Sequence, residues 1–151
     1  MLGNSGNTYS ERIKTVKNDG EYLFEMYCQT KGYKFHRIGF DEHENNVDKY
    51  WRLSDLLRNL PDFVVNAQDK TFVVAVKGTD KFKEKEFNLL PSMVDCFSSR
   101  ESPLIYAFCF KENAEPIFVF PNQIIELYNN SVDEKWHDGV IHRNLKLRKK
   151  S

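Results

Sequence analysis

Apolar residues recur at helical spacing between Asp19 and Lys31, where Tyr22, Leu23, Met26 and Tyr27 fall on one face. Asn18 can cap that helix, and Gly32 stands where the chain should leave it. From Tyr33 to Ile38 the pattern becomes the alternation of a half-buried strand. Residues 39–48 are acidic and polar and read as a loop. Leu53, Leu56, Leu57 and Leu60 then predict a short amphipathic helix over Lys49–Leu60. Pro61 ends it, because a proline ring pushes the preceding residue out of helical geometry. An earlier helix is expected over residues 9–17.

Two runs of β-branched and aromatic residues follow, Phe63–Asn66 and Thr71–Val76, with Gln68 and Asp69 between them, the pattern of a tight hairpin. Asp80–Leu89 reads as extended, anchored by Phe82, and a helix is expected to start near Pro91 and run through Met93, Val94 and Phe97. Leu104–Phe110 and Ile117–Phe120 form a second pair of buried strands. Pro121 opens a helix carrying Ile124, Ile125, Leu127 and Tyr128, and the chain closes with a turn at Asp138-Gly139 and a strand over Val140–Leu147. This order predicts an α/β fold, a mixed β-sheet flanked by helices.

The length, 151 residues, and the 40% hydrophobic content suit one core. We expect a single domain over residues 9–147, a flexible N-terminus over 1–8 and a basic C-terminal tail over 148–151. No apolar run approaches the roughly 18–20 residues of a membrane span, and no signal-type stretch opens the chain, so the expected location is cytoplasmic. Cys28, Cys96 and Cys109 are odd in number and set among apolar neighbours, as reduced, packed thiols are. The histidines show no zinc-ligand spacing. Formal net charge is zero, so a positive field toward a polyanion must be local. Lys81, Lys83 and Lys85 beside Lys77 offer one cluster, and Arg143, Lys146, Arg148, Lys149 and Lys150 another; solvated surface lysines are the plain alternative for both.

A turn centred on Gln68-Asp69 sets Asp62 directly across from Ala75, and opposed side chains lie roughly 4.5–5.5 Å apart at Cβ. Lys77, two residues beyond, projects from the same face. The hairpin therefore gathers an aspartate, a small residue and a lysine at one strand end.

Pro61-Asp62 followed across the hairpin by Ala75-Val76-Lys77 resembles the signature of the PD-(D/E)xK nucleases, with Glu21, about three helical turns before Gly32-Tyr33, matching the glutamate of their first helix. The resemblance covers roughly Asp19 to Thr79. It implies a restriction-endonuclease-like αβββαβ core and Mg2+- or Mn2+-dependent hydrolysis of phosphodiester bonds in DNA. It also implies roles: Asp62 a direct metal ligand, the Val76 carbonyl a second, Glu21 an outer or water-mediated one, and Lys77 the catalytic lysine. The chemistry is coherent. Converging carboxylates need a cation to stay charged, Mg2+ keeps waters that can attack phosphorus, and a lysine can orient such a water and offset developing charge. DNA is the expected partner, with Lys81, Lys83, Arg143, Lys146 and Arg148 as candidate phosphate contacts and a homodimer as an open possibility.

Ala75 departs from the family pattern, because the second acid belongs there and a methyl group binds no metal. Three origins account for it: an engineered replacement of Glu or Asp, a natural acid that has moved (Asp80, Glu84 or Glu86), or a catalytically dead binding module. RNA cleavage on the same site is a further alternative. Plain readings stand beside the sharp ones. Glu21 can complete a capping box with Asn18, leaving Glu25 as its substitute. His36 reads as a packed or surface histidine rather than a ligand and the run Asp41-Glu42-His43-Glu44 as solvated loop; Trp51 and Arg52 can stack on nucleic-acid bases, with core packing the plainer reading for Trp51. Trp136-His137-Asp138-Gly139 reads as a turn whose tryptophan packs on the sheet. No P-loop or GxSxG elbow is present.

Overall fold

A computed structural model of the protein describes residues 19–38 and 59–148. The helix over residues 9–17, the cap Asn18, the loop over 39–48, the helix over Lys49–Leu60 apart from its last two residues, Trp51, Arg52 and the tail beyond Arg148 lie outside the described residues.

Helix α1 spans Asp19–Lys31, as its apolar periodicity predicts. Gly32 ends it at φ +77°, a left-handed conformation that glycine adopts without a Cβ clash. The Tyr33 N–H then donates to the Cys28 carbonyl at 2.9 Å, using one of the helix's last acceptors. Strands β1 (Lys34–Arg37), β2 (Phe63–Ala67) and β3 (Lys70–Lys77) form an antiparallel meander. The β2–β3 register runs from Ala67 opposite Lys70 to Phe63 opposite Val74, which is the register read from the sequence. Gln68 (φ 52°) and Asp69 (φ 67°) make the turn with two positive φ angles, the twist that suits a two-residue hairpin.

Strand β5 (Leu104–Phe108) lies parallel to β3, so the chain must cross over between them. The short strand β4 (Lys81–Lys83) and helix α2 (Glu84–Phe97) provide the crossing. The helix thus begins seven residues before the expected start, and Pro91 lies inside it. Phe87, Leu90, Val94 and Phe97 continue one apolar seam, and Leu90 and Met93 are buried. Burying such side chains contributes about 1.5–3 kcal/mol each, which offsets the ~3 kcal/mol an internal proline costs. Strand β6 (Ile117–Val119) completes the first sheet, ordered β1-β2-β3-β5-β6, and helix α3 (Pro121–Asn129) follows. Strands β7 (Asp133–Lys135) and β8 (Ile141–Asn144) join β4 in a second sheet of order β4-β8-β7. The sequence reading missed β7. Its residues, Asp-Glu-Lys, are all exposed, so no alternation betrays it. Trp136 at the following turn stacks on His142 with ring centroids 4.2 Å apart.

The fold is therefore α/β with a mixed sheet. One core lies between the sheet and α1, built on Phe24, Cys28, Phe63, Val65 and Val74. The other lies under α2 and α3, built on Phe82, Leu90, Leu104, Phe108 and Ile124. All three cysteines are free thiols. Burial pushes Cys28 up to about 11 and Cys109 up to about 12, whereas Cys96 is exposed on α2 rather than packed. No helix among the described residues is long and apolar enough to cross a membrane.

Candidate functional site

Asp62 sits at the entry to β2, fixed from both sides. Its N–H donates to the Val74 carbonyl at 2.8 Å, and its own carbonyl accepts the Ile38 N–H at 2.9 Å. Its carboxylate accepts the Val76 N–H at 2.7 Å, so the side chain lies across β3 as the register requires. Ala75 is buried beside it, and Lys77 ends the strand with its carbonyl accepting the Cys109 N–H at 2.9 Å. These residues form the floor of a cleft of about 150 Å³, with Glu86, Leu89 and Met93 of α2 as one wall and Tyr106 of β5, paired with Ala75, as another. The sheet thus brings Asp62, Ala75, Val76 and Lys77 together.

Glu21 stands beside this group without lining the cleft. The start of α1 presses on the exit of β3: a Cβ added to Gly20 would lie 3.0 Å from both Cα and N of Gly78. This approach brings the Glu21 charge to bear on Asp62. Arg37 of β1 forms ion pairs with both Glu21 and Glu25, the latter at 3.0 Å, and lies 5.2 Å from the Phe63 ring centre. The candidate metal ligand Glu21 is therefore already engaged by a cation of the protein itself.

The electrostatics differ between the two carboxyls of the cleft. Burial, and then the Glu21 charge, pushes Asp62 up to about 7, against the opposing pull of the Val76 N–H, Lys77 and Arg37. Burial also opposes ionisation of Glu86, but the charge and hydrogen bond of Lys77 outweigh it and hold that carboxyl below its ordinary value. The Lys77 Nζ donates to Glu86 Oε2 at 2.5 Å. Lys77 is thus committed to Glu86, and the Val76 N–H, Lys77 and Arg37 offset the burial of Asp62 only in part. Burial, followed by the nearby Glu86 and Asp62 charges, raises the Tyr106 phenol, which stays protonated.

Of the three acids that could stand in for one at position 75, only Glu86 reaches the cleft. Asp80 is buried elsewhere, its carboxylate accepting the Arg148 N–H at 3.2 Å, and Glu84 is exposed. His36 shares the Asp62 side of the sheet by strand alternation but is exposed and does not line the cleft. Among the described residues, no three His, Cys, Asp or Glu side chains are grouped so as to hold a metal ion. The basic candidates lie on the paired strands β4 and β8 and the segment after β8, and several are engaged within the fold. Arg143 bonds Asp133 and the Tyr128 carbonyl, both at 2.7 Å, and Arg148 bonds Glu112 at 2.8 Å. Lys83 lies over the Trp136 ring at 6.0 Å, Lys81 is partly buried, and Lys146 is exposed with φ 57°.

Sequence reasoning missed Arg37, Tyr106 and the Gly20–Gly78 approach. Each depends on contacts between segments distant in sequence, and no local pattern announces them. Glu86 alone left a trace, three residues after Lys83 where a helix cap would place it. No protein-family model matches the chain, and neither a curated protein nor a solved structure gives a significant match.

Proposed function

We propose that this cleft is the active site of a divalent-metal-dependent nuclease that hydrolyses phosphodiester bonds in DNA. The observation that carries the reading is the desolvated, undercompensated Asp62 carboxylate held beside Lys77 at the open end of the hairpin. The order α1-β1-β2-β3-α2-β5, a meander followed by a parallel crossover, supports the αβββαβ core of the PD-(D/E)xK nucleases.

The donor set fits a hard cation such as Mg2+ or Mn2+. One Asp62 oxygen accepts the Val76 N–H, and the other has no hydrogen-bond partner among the described residues. In a strand the N–H and C=O of one residue face the same neighbour, so the Val76 carbonyl faces the Asp62 side. Glu21, outside the cleft and paired with Arg37, would reach such a cation only through water. When bound, such a cation supplies an activated water and a counter-charge for the phosphate oxygens. Lys77 orients the nucleophile and offsets charge developing on the phosphate, and Tyr106 offers a neutral hydroxyl donor at the cleft wall. Lys81, Lys83, Arg143, Lys146 and Arg148 are the residues to test for backbone contacts.

The test pairs Mn2+ calorimetry with a plasmid nicking assay. Wild-type protein should bind the ion and nick DNA, Lys77→Ala should keep binding and lose about 100-fold or more in nicking, and Asp62→Asn should lose both. A second reading, a binding module on the same scaffold, draws on the methyl group of Ala75 and the engagement of Glu21 by Arg37. It requires DNA binding that survives Asp62→Ala and a melting temperature indifferent to Mn2+. Matched RNA and DNA substrates distinguish the RNA-cleaving form of the first reading.

A further inference from the structure

Helix α1 covers only part of the sheet face on which it packs. Beyond it lies a second, larger basin, floored by Val65, Val74 and Ile105, with Tyr27 of α1 on one side and Phe118 and Phe120 on the other. The two phenylalanines remain 40% and 41% exposed, an apolar surface that water solvates poorly. The basin encloses about 500 Å³, within the roughly 300–1,000 Å³ of small-molecule sites. It is separate from the hairpin cleft. Val74 lines the basin and Ala75 the cleft, and successive residues of a strand point to opposite faces of the sheet.

The lining selects its occupant in two ways. Six of the side chains around the basin are aromatic. The Tyr27 ring lies 5.9 Å from that of Phe118 and 6.1 Å from that of Tyr33, so the rings make a connected wall. Such a wall favours a flat aromatic body, because offset and edge-on ring contacts add to apolar burial. The rim carries the second preference. Lys70 is the only charged residue that lines the basin; it is exposed, and no ion pair among the described residues engages it. Gln68, held at φ 52° in the hairpin turn, adds an amide donor at the same rim, while Asp69 between them does not line the basin. An ammonium and an amide beside an aromatic wall complement a carboxylate attached to a ring system. We propose that this basin binds a small bicyclic aromatic acid, its rings against Tyr27, Phe72 and Phe118 and its carboxylate at Lys70 and Gln68. The site stands independently of the nuclease reading.

The test is calorimetry of the full chain with naphthoate, beside two controls. Naphthylmethanol keeps the rings and lacks the charge; decanoate keeps the charge and lacks the rings. Naphthoate should bind saturably, the alcohol about tenfold more weakly and decanoate about fivefold more weakly. Lys70→Glu alters an exposed position, so the fold survives; it should weaken naphthoate about tenfold or more and leave the alcohol unchanged. Ala67→Trp puts a ring into the basin and should abolish binding, with thermal melting as the check on folding. Methyl NMR gives the location: naphthoate should shift Val65, Val74 and Ile105 and leave the Met93 methyl of the cleft unmoved. The proposal is overturned if either control binds as tightly as naphthoate, or if naphthoate binding survives Ala67→Trp. It is also overturned if the full chain shows no saturable binding. Sedimentation at rising protein concentration then tells a basin filled by a second copy from one filled by the chain itself.

Discussion

Two carboxyls in one cleft respond to pH in opposite directions. Asp62 is raised in the folded state to about 7, so between its ordinary range and that value the folded protein holds a proton the unfolded chain has lost. Stability without metal therefore falls as pH rises from about 4 to about 7, by on the order of 2–4 kcal/mol, and stays low above that. Asp62→Asn should remove this loss, and urea melts of both proteins at pH 4.5 and pH 8 measure it. Glu86, lowered by Lys77, has the other sign: its contribution is present above the ordinary carboxylate range and is lost as pH falls through the folded value. Removing the amine with Lys77→Met strands Glu86 half-buried and should cost about 2 kcal/mol at pH 8, less in acid where Glu86 takes up a proton. Metal binding should also weaken below about pH 7, since Asp62 must release its proton to serve as a ligand; calorimetry in two buffers would count that proton.

At the scale of elements, the site depends on how closely α1 approaches β3. Gly20→Ala places a methyl 3.0 Å from the Gly78 backbone, where no flexible side chain can yield. We expect about 1–3 kcal/mol of destabilisation. Displacing Glu21 should also bring the Asp62 titration, followed by carboxyl NMR, down toward its ordinary range. The β2–β3 turn makes the opposite prediction. Asp69 adopts φ 67° where glycine is favoured, so Asp69→Gly should stabilise the hairpin by about 0.5 kcal/mol and leave the cleft unchanged in metal titrations. The α2 boundary shows where element reading fails. Pro91 is a good first-turn residue, and it drew the expected start to itself. The apolar seam from Phe87 set the real one, because burial against the sheet outweighs one missing hydrogen bond.

For the whole molecule, stability with and without a divalent ion tests the proposed site. Ala75→Glu places a third carboxylate beside Asp62 and Glu86, so it should lower the melting temperature in chelator and raise it in Mn2+ more than in wild type. At about 100 times the dissociation constant a ligand adds about 2.7 kcal/mol, which a thermal shift resolves. Much of this arrangement was legible beforehand. Apolar periodicity specified α1, the turn chemistry specified the hairpin, and strand alternation then fixed Asp62, Ala75 and Lys77 on one face, because side-chain direction follows backbone period. Those are local consequences of covalent geometry, and the sequence by itself determined them. Tertiary structure alone decided that α2 turns Glu86 toward Lys77, that Arg37 engages Glu21 and that Tyr106 closes the wall. Those contacts join segments far apart in the chain, and only the packing of helices on the sheet brings them within reach.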